Sequence, residues 1–165
     1  MSEVFKVLHV CTGNICRSPM GEQLMRAGFA TRLGDRAGAF VVESAGTMGF
    51  TGDPMQPFAR STLQAYDVDG SAFRARLLEP HLVVGSDLVL CATREHRAAA
   101  VTMHPRGARR IFTVREFDRL LEQVDPTSLP SGDPVARAKA VVEAAACARG
   151  LVRPNAPEDD DITDP

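Results

Sequence analysis

Val7-Leu8-His9-Val10-Cys11-Thr12-Gly13-Asn14-Ile15-Cys16-Arg17-Ser18-Pro19 is the stretch on which the fold turns. Residues 4–10 (VFKVLHV) form a valine-rich apolar run that stops abruptly at Cys11, as a short buried strand does. Ser18-Pro19 then opens the helical stretch MGEQLMRAGFATRLG. Proline suits a first helical turn, where its missing N–H would have found no partner anyway. Leu24, Met25, Ala27 and Gly28 recur at roughly helical spacing, and Gly34 is placed to end the helix. Strand, glycine-containing loop and helix make the opening of a βα unit.

The same grammar continues outward. AFVVESAG at 39–46 reads as a second strand, followed by a Gly/Pro-rich loop and a helix from Gln56 to Tyr66. SDLVLCA at 86–92 is a third strand leading into a helix that ends near Met103. ARRIFTV at 108–114 is a short fourth strand, and REFDRLLEQ continues as a helix. Strands alternating with helices predict an α/β fold, its parallel sheet covered on both faces. Such sheets bind ligands at the carboxyl ends of their strands, where CTGNICRS lies. Beyond residue 124, DPTSLPSGDP is a turn-rich connector and PVARAKAVVEAAACARG a further helix ending near Gly150. The remainder, RPNAPEDDDITDP, is acidic and proline-punctuated, a composition that predicts loop or disorder. We expect one domain over residues 1–150 and an acidic, truncated or mobile tail over 151–165.

Hydrophobic residues make up 44% and charged residues 24% of 165, enough for one core without disulfide support. A net charge of −2 supplies no global field for nucleic acid or an anionic membrane, so any anion site must be local. No apolar run approaches a membrane span. The N-terminus passes directly into a strand, so a cytoplasmic address is expected. Cys11, Cys16, Cys91 and Cys147 are sparse and irregularly spaced, unlike a disulfide framework or a zinc site. Reduced, reactive thiols are expected, with no metal and no cofactor.

Cys11 to Ser18 has the form C-x5-R-S between a strand and a helix. Successive N–H groups of a tight loop form an anion nest, and the helix N-terminus adds positive partial charge. Thr12, Gly13, Asn14, Ile15, Cys16, Arg17 and Ser18 are therefore expected to surround a phosphate. Gly13 permits backbone that other residues resist, and Arg17 can grip two phosphate oxygens at once. A cysteine in such a field is held toward its thiolate, placed for in-line attack to give a phosphocysteine. Asn14 can brace the loop, and Ser18 can donate to the sulfur and help it leave. His9 lies on the same strand face as Cys11 and reads as a packed core histidine. Cys91 and Cys147 read as buried thiols.

VLHVCTGNICRSPMGEQLMR resembles the signature of the low-molecular-weight protein tyrosine phosphatases. The likeness continues through SAGT (44–47), GDPMQPFA (52–59), ARLLEPHLVVGSDLVLCATREHR (75–97) and RIFTVREF (110–117). It implies a three-layer α-β-α fold with a four-stranded parallel sheet and a phosphate-binding loop after the first strand. It also implies metal-free hydrolysis of a phosphotyrosine-containing protein or small aryl phosphate, with Cys11 as nucleophile and Arg17 as clamp. The family's general acid is an aspartate before proline in a late loop. Asp164-Pro165, in the context DDDITDP, matches it, while Asp53-Pro54, Asp125-Pro126 and Asp133-Pro134 are rivals. The aromatics and final helix that follow this acid in the family are absent after Pro165, which implies a shortened form or weak activity. Ile15 provides an apolar wall for an aromatic ring; relatives acting on phosphoarginine carry threonine there. Phe50 falls near the family's substrate-flanking aromatic. The Cys11/Cys16 pair matches one that forms a reversible protective disulfide.

Two alternatives remain. An arsenate reductase on the same scaffold needs two more cysteines close together after the third strand, and REHRAAAVTM after Cys91 contains none. A phosphate-binding module would keep the loop but not the turnover.

Overall fold

The computed structural model describes residues 3–165, and among these the chain forms four strands and six α-helices. In chain order they are β1 (Phe5–Cys11), α1 (Arg17–Leu33), β2 (Phe40–Gly46), α2 (Pro57–Gln64), α3 (Pro80–Val84), β3 (Leu88–Cys91), α4 (Arg94–Met103), β4 (Ile111–Thr113), α5 (Val114–Leu121) and α6 (Pro134–Ala148). Short 3₁₀ turns link several of them. The expected α/β architecture is present. All pairings are parallel and the strand order is β2-β1-β3-β4.

Alternation along β1 divides the core between two faces. Phe5 and Val7 pack with Val42, Leu90, Phe112, Leu120 and Val142, beneath α1, α5 and α6. Leu8 and Val10 pack with Ala45, Val83, Val89 and Ala100, beneath α3 and α4. Three layers result. A third, smaller cluster of Cys16, Met55, Ala59 and Leu63 seats α2 beside the loop after β1.

The topology explains where the site lies. After β1 the chain turns to β2 on one side, then crosses back to β3 on the other. The loops after β1 and β3 therefore diverge at the carboxyl end of β1, which opens a crevice there. Register brings Gly46 of β2 beside Cys11 and Cys91 of β3 beside Val10. The five-residue α3 was not anticipated from sequence, because PHLVV is too short for helical periodicity to show.

Residues 151–165 depart from the expected loose tail. They pass α5, the carboxyl end of β3 and the start of α4, and are held by carboxylates and one backbone pair. Asp160 pairs with Arg119 of α5, Asp161 accepts from the Arg94 backbone N–H at 2.7 Å, and the Ile162 N–H donates to Ala92 O at 2.8 Å. The composition that reads as disorder is here a set of carboxylates matched to arginines on other elements.

Candidate active site

The loop after β1 is shaped by the segment that follows β2. The carbonyls of Cys11, Thr12, Gly13 and Ile15 accept from the N–H groups of Thr47, Met48, Phe50 and Gln56 at 2.8–3.1 Å. A trans peptide points its C=O and N–H in opposite directions. With these carbonyls drawn outward, the following amides turn inward over Cys11 and form an anion nest. The close approach requires glycine at two points. A Cβ on Gly46 would sit 2.4 Å from Thr12 O, and one on Gly13 would sit 2.8 Å from the Phe50 ring.

Asn14 holds the loop from inside. It is fully buried with φ of 57°, a left-handed conformation that asparagine tolerates better than most residues. Its Nδ2 donates to both Ser18 Oγ and Ser44 Oγ at 2.9 Å, and its Oδ1 accepts from the Arg76 N–H at 2.9 Å. These partners give each hydroxyl a direction. Ser18 Oγ accepts from Asn14, so its own proton is free to reach Cys11 Sγ, 2.9 Å away. Ser44 Oγ likewise accepts from Asn14 and donates to Glu22 Oε2 at 2.5 Å. Burial pushes the Glu22 carboxyl up, while Ser44 and Arg26 pull it back. Buried polar groups are costly unless paired, and this set is paired end to end.

Arg17 closes the loop. Its side chain is only 8% exposed. Nη1 donates to Ile162 O at 2.9 Å and Nη2 meets Asp164 Oδ1 at 3.1 Å. Its buried Nε has no partner among the described residues. The cleft above Cys11 measures about 350 Å³ and is lined by Cys11, Thr12, Gly13, Ile15, Cys16, Arg17, Phe50, Gln56, Phe58 and Asp164. Cys11 forms its floor, 2% exposed. Ile15, Phe50 and Phe58 give it apolar walls.

The loop residues singled out in sequence all meet here. Asp164 arrives from the other end of the chain. Among the described residues it is the one aspartate of a Asp-Pro pair that lines the cleft. Asp125 instead caps a 3₁₀ turn through the Thr127 N–H, and Asp133 caps α6 through the Val135 N–H at 2.9 Å. Cys16 is a buried thiol, pushed up to about 11 by burial first and by Cys11 and Asp164 next. His9 packs beneath α1, where a Cβ on Gly21 would meet its Nδ1 at 2.6 Å, and burial lowers it to about 4. Cys91 is fully buried and its thiol is raised by burial; the α4 segment beyond it offers no partner sulfur, so the arsenate reductase alternative is not favoured. Cys147, expected to be buried, is instead exposed on α6.

Ser44, Glu22, Arg76, Phe58 and His96 are contributions that local motif reading missed. Ser44 carried one available signal, since it lies in SAGT at the carboxyl end of a strand.

Comparison with known proteins agrees with this construction. Residues 6–144 match the family model described as low molecular weight phosphotyrosine protein phosphatase. The low molecular weight protein-tyrosine-phosphatase Wzb of Salmonella typhi is 31% identical over 121 residues, 73% of this chain and 76% of that protein. The protein-arginine-phosphatase of Bacillus subtilis is 31% identical over 112 residues, 67% and 71% of the two chains. The crystal structure of a low molecular weight protein tyrosine phosphatase from T. tengcongensis superposes with a TM-score of 0.63 at 33% identity, covering 87% of this chain and 93% of that one. A C-x5-R-S loop at the switch point of a 2-1-3-4 sheet, matched across nearly the whole domain, places the chain in the low molecular weight phosphotyrosine protein phosphatase family.

Proposed function

We propose that the protein hydrolyses phosphotyrosine in proteins through a phosphocysteine on Cys11, with Arg17 as phosphate clamp and Asp164 as general acid. The observation that carries it is the hydrogen-bonded chain Asn14–Ser18–Cys11, which places a hydroxyl able to donate to the sulfur at the base of the nest. In the first step Cys11 Sγ attacks phosphorus in line. The P–O bond to tyrosine breaks, and the phenolic oxygen takes a proton from Asp164. In the second step water attacks phosphorus and gives its proton to Asp164. The S–P bond breaks, and the electron pair returns to a sulfur steadied by Ser18.

Arg17 links the two halves. A phosphate dianion that takes both guanidinium nitrogens displaces Asp164 from Arg17, so substrate binding frees the acid it needs. The apolar walls Ile15, Phe50 and Phe58 suit a planar aromatic ring, which favours phosphotyrosine over a phosphorylated guanidinium. Among the described residues no helix is long and apolar enough to cross a membrane; a cytoplasmic location accords with this reading.

The test is turnover of p-nitrophenyl phosphate and a phosphotyrosyl peptide by wild type and Cys11→Ser. Wild-type turnover that falls by several orders of magnitude in Cys11→Ser, with inorganic phosphate still bound, supports the reading. Phosphate binding without turnover by the wild type would leave only a phosphate-binding module.

A further inference from the structure

His96 has no part in the chemistry above, yet its ring joins the phosphate loop to α4. It is the third residue of α4, 5% exposed, and its Nε2 lies 2.8 Å from Thr12 Oγ1. Its other nitrogen decides the tautomer. Nδ1 faces the Thr93 backbone N–H at 3.2 Å and the Thr93 hydroxyl at 2.8 Å. The N–H can only donate, so Nδ1 accepts and the ring proton sits on Nε2. Nε2 therefore donates to Thr12 Oγ1. The Thr12 oxygen is occupied as an acceptor, and its own proton is left to point elsewhere. Thr12 lines the cleft, where the available acceptor class is a phosphate oxygen.

We propose that His96 is a positioning residue for the phosphate loop, holding the Thr12 hydroxyl so that it donates to a phosphate oxygen bound over Cys11. This rests on the phosphate-binding reading of the loop and adds a side-chain donor to its backbone amides. The surroundings keep the ring neutral, as the role requires. Burial and the Arg17 charge lower its pKa, against weaker opposing effects of Glu95, Asp161 and Asp164. The capping box with Thr93 ties the ring to the first turn of α4, so the aim of the Thr12 proton is set by the fold.

The experiment is calorimetric binding of inorganic phosphate at pH 7 to wild type, Thr12→Val, His96→Ala, the double variant and His96→Gln. Loss of one hydrogen bond to a charged oxygen weakens binding about tenfold. Thr12→Val and His96→Ala should each lose this factor, and the double variant should lose no more than either. His96→Gln, whose amide nitrogen reaches about as far as Nε2, should stay within about twofold of wild type. Additive losses would overturn the proposal, as would a His96→Gln protein as weak as His96→Ala. If His96→Ala does not fold, the pair Thr12→Val and His96→Gln decides alone: impaired against unimpaired supports it, and Thr12→Val equal to wild type refutes it. Because the readout is phosphate binding, a wild type that binds but does not turn over would fail the proposed function without touching this one.

Discussion

The loop over residues 11–18 and the tail over 151–165 meet at Arg17 but are held by opposite means. The loop is fixed by neutral hydrogen bonds with little water around them: Asn14 is fully buried, and Ser18 and Ser44 are 3% and 2% exposed. The tail is anchored by the half-buried Asp160–Arg119 pair and the Ile162–Ala92 backbone bond. The carboxylates nearest the site, however, pair closer to the surface, Asp161 with Arg94 at 3.0 Å and Asp164 with Arg17 at 3.1 Å, the Asp164 side chain being 73% exposed. Buried paired networks are costly to disturb and indifferent to salt; exposed pairs contribute little and are screened. The molecule thus keeps the proposed nucleophile rigid and leaves the proposed proton donor on a light tether. That division suits the proposed chemistry, in which the sulfur stays aimed while the acid leaves Arg17 when phosphate arrives.

The comparison can be broken most severely at the tail's functional end. Asp164→Asn should lower kcat on phenyl phosphate by about 10²–10⁴-fold, with a smaller loss on p-nitrophenyl phosphate, whose leaving group needs no proton. Equal rates on phenyl phosphate would remove Asp164 from the mechanism.

The rigid half answers to acid next. His9 lies behind the loop at about 4 in the fold, lowered by burial, and near 6.5 in an unfolded chain. A group with a depressed cationic pKa stays neutral in the fold, so its stability is complete above pH 6.5 and is lost as pH falls toward 4. The loss amounts to on the order of 3 kcal/mol. Urea melts from pH 7 to 4 should show a shallower decline in His9→Asn by about that amount; an identical slope would mean His9 is not buried neutral.

Removing the brace itself should cost slightly less. Asn14→Ala strands the Ser18 and Ser44 hydroxyls and the Arg76 N–H, and places alanine at a left-handed φ. A loss of about 2 kcal/mol is expected, with turnover falling in step, measured by urea melts and p-nitrophenyl phosphate assays. Stability unchanged within error would show that the network is not what holds the loop.

The smallest effect should be salt. Arg94→Ala, or wild type moved from 0.05 to 0.5 M NaCl, should slow phenyl phosphate turnover by up to about fivefold while leaving the melting midpoint unchanged. If the loop responded to salt as strongly as the tail, the contrast between them would not hold.

Legibility in the sequence followed the same line. Cys11, Asn14, Arg17 and Ser18 sit within eight residues between a strand and a helix, so their joint chemistry could be read from spacing. The βα alternation was legible because apolar periodicity is local. Ser44, Arg76 and His96 act on the loop from three distant segments that only the fold brings there, and Glu22 of α1 joins them through Ser44. His96 in particular hides in the charged run TREHR, which reads as an ordinary helix start. The tail's contacts were not legible because composition counts carboxylates without knowing that Arg94 and Arg119 await them.

The way the carbonyls of Cys11 to Ile15 are held has a consequence for how the enzyme is born. Their partners, Thr47 to Gln56, belong to a later part of the chain, as does the Arg76 amide that orients Asn14. During synthesis the C-x5-R-S segment emerges early but cannot acquire its shape until β2 has paired with β1 and the following loop has docked. Contacts of such sequence separation form late. A nascent chain halted before residue 47 would lack every one of these partners, and the proposed nucleophile would be placed by folding rather than by translation.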